Sequence, residues 1–300
     1  MIFSFILRRF FRKVPLPAIR EGSVRCISPQ GLHRMAYVEF GDPRNPRVLV
    51  CAHGLTRNGR DFDWLAEALK DDYRVICPDV VGRGRSDWLK VPAGYGFPQY
   101  LSDMTTLLAR IGAEEVDWVG TSMGGLIGMM LAGQMGFPIR RLVLNDVGPL
   151  ISPESLKRIG EYVGNAPAFA SPEEAERYLR VICKPFGPIS DEQWAHLIRH
   201  GIRPTADGQY RMHYDPAIGE PFRQAFVYQA VDLWPVYDAI PCPTMILRGA
   251  ESDVLAPEVF AEMQQRGPKA KGVEFPGIGH APILMERGQI DVVRDFLLAP

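Results

Sequence analysis

Apolar residues along this chain fall into two kinds of run, and their alternation predicts the elements. Nearly unbroken stretches at Arg47 to Ala52 (RVLVCA), Tyr73 to Cys77, Val116 to Thr121, Arg140 to Asn145, Thr244 to Arg248 and Gly272 to Phe275 have the length of strands, several of them covered on both faces. Between them, Asp61 to Lys70, Pro98 to Ile111, Leu126 to Met135, Pro257 to Gln265 and Ile283 to Leu298 read as helices. Val24 to Ile27 and Arg34 to Phe40 lie either side of Gly31 and predict a hairpin-like start to the sheet. Strands alternating with helices imply a mainly parallel α/β sheet.

The alternation stops from Leu150 to about Trp234, where short amphipathic helices such as Glu173 to Cys183 and Asp191 to His200 are broken by Pro and Gly. The simplest topology is an α/β sheet interrupted by a helical insertion. Phe169, Tyr178, Phe186, Trp194, Phe222, Phe226, Tyr228 and Trp234 make the insertion aromatic, as its own core and as lining for an apolar pocket. Met212-His213-Tyr214-Asp215-Pro216 is distinctive but suggests no chemistry by itself.

Composition adds exclusions. With 34 basic and 35 acidic residues and a net charge of −1, no overall field would recruit nucleic acid, so a small-molecule substrate is expected. Five scattered cysteines without C-x-x-C spacing argue against disulfides and a zinc site, and point to a reducing, cytoplasmic setting. His196 and His200 fit H-x-x-x-H but lack a third ligand nearby, which reads as helix surface. Met1 to Val14 is apolar and basic. It is too short in its apolar part to span a membrane and has its charges in the wrong order for a secretory signal, leaving weak membrane-surface contact, organelle targeting or a plain extension open.

The chemistry centres on Gly120-Thr121-Ser122-Met123-Gly124, a G-x-S-x-G string between a strand and a helix. A nucleophile lifted onto so tight a turn needs small neighbours, because a Cβ on either glycine would meet the adjacent strand or helix. In parallel sheets, ligands sit at the carboxyl ends of strands. The residues there are His53-Gly54, Asp79, Ser122, Asp146, Asp253 and His280. His280 lies in Pro276 to Pro282, a small-residue loop that lets an imidazole reach Ser122. Gly82 and Gly84 lack the remainder of a nucleotide-binding motif and read as a loop built for close backbone approach. His53 reads as an orienting group for its own loop. Arg57, Asn58 and Asp61 are within reach of the site mouth or belong to a solvated loop.

His53-Gly54-Leu55, Asp79 to Ser86, Gly120 to Gly125, Arg248 to Asp253 and Gly279-His280, in that order, make the chain from about residue 22 onward resemble the α/β-hydrolase fold superfamily in its cap-bearing branch. The resemblance implies a mostly parallel eight-stranded sheet flanked by helices, with a helical cap inserted after strand six. Residues 22–149 and 235–300 would form the core, 150–234 the cap and 1–21 an N-terminal extension. It also implies Ser122 as nucleophile, His280 as base and Asp253 as acid, with Asp146 at the less common acid position. Leu55 and Met123 would supply the oxyanion hole, and no metal or cofactor is needed.

The expected activity is serine-dependent hydrolysis of small to medium carboxylic esters or related acyl compounds through an acyl-enzyme. Carbon–carbon bond hydrolysis of the meta-cleavage-product type, acyl transfer, and a ligand-sensing receptor with little turnover are alternatives within the same resemblance.

Overall fold

A computed structural model describes residues 19–223 and 230–300. The expectations for Met1 to Val14, and for Phe226 and Tyr228, fall outside the described residues.

Eight strands form one sheet: β1 (Arg20–Ser28), β2 (Gly31–Phe40), β3 (Val48–Ala52), β4 (Arg74–Pro78), β5 (Val116–Thr121), β6 (Ile139–Asn145), β7 (Thr244–Gly249) and β8 (Lys271–Phe275). Their spatial order is β1-β2-β4-β3-β5-β6-β7-β8. The β1–β2 and β2–β4 pairs are antiparallel and the others parallel. Helices α1 (Asp63–Leu69), α2 (Phe97–Ile111), α3 (Met123–Ala132), α4 (Pro153–Tyr162), α5 (Pro172–Ile182), α6 (Asp191–Gly201), α7 (Glu220–Arg223), α8 (Trp234–Asp238), α9 (Pro257–Met263) and α10 (Arg287–Leu298) follow in chain order. This is the α/β-hydrolase fold that the pattern and the resemblance led us to expect.

Strand β3 shows why continuous apolar runs become central strands. Val48, Val50 and Ala52 join the core beneath α2 and α3, while Leu49 and Cys51 join the opposite core with Leu65 and Leu69 of α1 and Val293 and Leu297 of α10. Both faces are covered, so each aliphatic side chain contributes roughly 1.5–3 kcal/mol of burial.

Two helix boundaries differ from the pattern. Helix α3 starts at Met123, directly after the serine, and ends before Gly133, where a Cβ would stand 2.7 Å from the Val236 carbonyl oxygen. The final helix starts at Arg287, not Ile283, because Glu286 caps it by accepting from the Gln289 N–H. All five cysteines are buried free thiols. Among the described residues no helix is long and apolar enough to cross a membrane.

Candidate active site

Strand β5 delivers Ser122 into a turn with φ 51° and ψ −115°, a strained conformation for a non-glycine residue. The flanking glycines make it possible. A Cβ on Gly120 would lie 2.2 Å from the Gly124 carbonyl oxygen, and one on Gly124 would lie 2.0 Å from that of Ala52. The Ser122 N–H donates to the Asn145 carbonyl at 2.9 Å, tying the turn to the end of β6.

His280, in the loop between β8 and α10, meets this serine, with Nε2 2.9 Å from Ser122 Oγ. Its other ring nitrogen, Nδ1, is 2.6 Å from Oδ2 of Asp146. Asp146 is fully buried and also accepts from the Gly249 N–H at 2.8 Å and the Ser252 hydroxyl at 2.6 Å. Three donors and a dry setting keep this carboxylate fixed against the imidazole.

The expected acid, Asp253, is not at the imidazole. Its side chain is exposed and holds Arg158 of α4 at 2.9 Å, and its carbonyl accepts from the Ser155 hydroxyl at 2.6 Å. Beyond β7 the chain turns so that Ser252 bonds Asp146, which leaves its neighbour Asp253 exposed on the cavity wall and paired with Arg158. Asp146, at φ 57°, has the backbone twist that brings its carboxylate across to the ends of β7 and the His280 loop.

His53 is fully buried between two backbone groups. Its Nε2 accepts from the Val80 N–H at 2.9 Å and its Nδ1–H donates to the Gly54 carbonyl at 2.7 Å, which fixes the tautomer. Burial pushes its pKa down to about 4, so the ring stays neutral. The Gly54 carbonyl belongs to the same peptide unit as the Leu55 N–H, so His53 orients that donor. Neither the Leu55 N–H nor the Met123 N–H, at the first turn of α3, has a backbone acceptor among the described residues. Arg57 forms a two-pronged ion pair with Asp61, both contacts at 2.7 Å, on the cavity wall, and Asn58 is buried, with its side-chain amide on the His200 carbonyl at 3.0 Å. Asp79 is structural, accepting from the N–H groups of Gly59 and Arg85.

A cavity of about 1240 Å³ lies over Ser122 and His280, lined from the core by Leu55, Tyr100 and Met123 and from the inserted segment by Leu156, Ile159, Leu179, Phe186 and Phe222. The Met212-to-Pro216 motif now has a role as a fastener. The Gly84 N–H donates to His213, the Asp215 N–H donates to Gly82, and the Tyr95 hydroxyl donates to Asp215 Oδ2 at 2.5 Å. His196 and His200 are not free helix surface. Their rings meet at a tilt of 57° with centroids 4.6 Å apart, and His196 Nε2–H donates to the Arg60 carbonyl at 2.8 Å.

Cys26, His33 and Asp103 come nearest to a metal-binding set among the described residues, their ligand atoms within 4.8 Å of one another. His33 Nε2 already bonds Asp103 at 2.9 Å, and burial, then the Asp103 charge, pushes the Cys26 thiol up to about 12. The set therefore reads as a buried polar tie between β1, β2 and α2.

The chain is 52% identical over 284 residues to a 3-hydroxybutyrate-oligomer hydrolase of Cupriavidus necator, a match covering 92% of this chain and 97% of that one. The solved structure of an alpha/beta hydrolase from Novosphingobium aromaticivorans superposes with a TM-score of 0.82 at 39% identity, covering 93% of this chain and 98% of the other. A Rickettsia typhi protein superposes with a TM-score of 0.86 at 32% identity and the same coverages of 93% and 98%. The model of the alpha/beta hydrolase family matches residues 49–294, from β3 into α10, and the chain belongs to that family and is a hydrolase.

Proposed function

We propose that this hydrolase cleaves carboxylic esters through an acyl-enzyme on Ser122. The observation that carries the reading is the unbroken line from Ser122 Oγ to His280 Nε2 at 2.9 Å and from His280 Nδ1 to Asp146 Oδ2 at 2.6 Å. His280 takes the Ser122 proton as Oγ attacks the ester carbonyl, then returns it to the departing alcohol. Asp146 holds the imidazole in the tautomer with Nε2 free and stabilises the imidazolium that forms. The Leu55 and Met123 N–H groups receive the oxyanion, where a single donor is typically worth roughly 3 kcal/mol of barrier. A water then attacks the acyl-enzyme with His280 again as base. No step calls for a metal or cofactor.

The described residues between 150 and 234 act as a cap over this site, which restricts access to slender substrates. The apolar lining suits short acyl segments, and the similarity to a 3-hydroxybutyrate-oligomer hydrolase makes short linear oligoesters of hydroxy acids the substrate class we favour.

The test is hydrolysis of soluble 3-hydroxybutyrate dimers and trimers by the purified chain. We expect release of the monomer with wild-type protein and none with Ser122→Ala. Inert esters together with turnover of a vinylogous 1,5-diketone would replace the ester reading with carbon–carbon bond hydrolysis.

A further inference from the structure

We infer that Arg83 is a positioning residue of the oxyanion hole, a buried cation that fixes the two donor residues relative to one another and adds positive charge behind them. The inference rests on the acyl-enzyme reading above.

Arg83 lies in the Gly82-to-Gly84 loop and is fully buried. Its guanidinium reaches both proposed donor residues. Nε donates to the Leu55 carbonyl at 2.8 Å, and Nη2 lies 3.5 Å from Met123 Sδ. Nη1 donates to the Val81 carbonyl at 2.8 Å and to the Tyr100 hydroxyl at 3.1 Å, and the guanidinium carbon sits 5.0 Å from the Tyr100 ring centre.

Leu55 is thereby pinned on both sides. His53 holds the carbonyl of the peptide unit that precedes it, and Arg83 holds the carbonyl of the one that follows. With those two dihedrals fixed, the Leu55 N–H cannot rotate away from the site. The same guanidinium touches the Met123 side chain, so one rigid planar group spans the gap between the two donors.

Every hydrogen-bond partner of Arg83 among the described residues is neutral. Burying a guanidinium without a carboxylate is costly, and an apolar side chain would fill the same volume without that cost. A cation with no carboxylate among its hydrogen-bond partners in a dry site favours a nearby negative charge, and in this reaction such charge develops at the substrate oxygen. The loop is itself held in place, since Arg83 forms an antiparallel bridge with Tyr214 and the flanking Gly82 and Gly84 bond Asp215 and His213.

The experiment compares Arg83→Met and Arg83→Lys with wild type in the full chain. The readouts are kcat and KM on a p-nitrophenyl ester, and the inhibition constant of a trifluoromethyl ketone. That ketone adds Ser122 Oγ to its carbonyl carbon, passes the serine proton to His280 and leaves an oxyanion in the hole. We expect Arg83→Met to lower kcat on the order of tenfold to a hundredfold, with KM within about twofold, and to weaken the ketone by the same factor as kcat. Arg83→Lys should recover part of both losses.

A folded Arg83→Met protein whose kcat and ketone affinity match wild type would overturn the inference, as would a loss confined to KM. If Arg83→Met does not fold, Tyr100→Phe provides the same test on a smaller scale. It should lower kcat and ketone affinity in parallel by a few-fold, and an effect on KM alone would contradict the inference. Full activity of Ser122→Ala would instead overturn the acyl-enzyme reading beneath it, which keeps the two failures distinct.

Discussion

His280 Nδ1 lies 2.6 Å from Asp146, whereas Asp253, one strand further along, pairs with Arg158 on the cavity wall. In the proposed mechanism only the carboxylate on the ring nitrogen sets the tautomer. Asp146→Asn should therefore lower kcat on the order of 10³- to 10⁴-fold. Asp253→Asn should leave kcat within a few-fold, since it removes only a half-exposed ion pair worth about 0–1 kcal/mol. Steady-state kinetics on one ester will show which loss is larger, and the reverse order would place the acid at Asp253.

The elbow makes a packing prediction. A methyl group on Gly124 would sit 2.0 Å from the Ala52 backbone oxygen, in the middle of the sheet, where neither backbone can move aside. Gly124→Ala should cost about 3 kcal/mol or more, measured by chemical denaturation, at the upper end for overpacked cores. Wild-type stability in that variant would mean that β3 and α3 are further apart than described here.

His53 gives the fold a dependence on pH. Burial lowers its folded pKa to about 4, while in the unfolded chain it titrates near 6.5. Between those values the unfolded state binds more protons than the folded state, so stability falls as pH falls through this window and levels off below it. The His53 contribution from pH 7 to pH 5 is about 2 kcal/mol. His53→Gln should flatten the stability profile by that amount, and an unchanged profile would remove His53 as its source.

Substrate size follows from the proposed cap over the cavity. Short and medium acyl p-nitrophenyl esters should be cleaved, long-chain triglycerides poorly and peptides not at all, because an amine departs far less readily than the p-nitrophenolate or alcohol of an ester. A kcat/KM profile across acyl lengths checks this. Rates still climbing beyond about twelve carbons would mean an open groove.

What could be read from the sequence, and what could not, follows from the range of the interactions involved. Ser122 and the sheet strands were legible because their signals are local, with apolar runs for β3 to β8 and glycines on either side of a serine between strand and helix. His280 was legible from its small-residue loop and its place after the last strand. Which carboxylate meets His280 was not, because Asp146 and Asp253 both follow strands, and what separates them is tertiary. The Gly249 N–H and the Ser252 hydroxyl converge on Asp146 from 103 and 106 residues away. Arg83 was invisible for the same reason, its burial being set by Leu55, Tyr100 and Met123. Met212 to Pro216 gained meaning only when His213 and Asp215 met the loop of Gly82 and Gly84.

The central claim is that Ser122 carries the acyl group, and rapid mixing with a p-nitrophenyl ester, followed by acid quench and peptide mass analysis, tests it directly. The account predicts a burst of p-nitrophenol approaching one equivalent per active site wherever deacylation limits the rate. It also predicts an acyl mass increment on the peptide containing Ser122, with both signals lost in Ser122→Ala. An acyl group on a different residue, or continued turnover by Ser122→Ala, would contradict it.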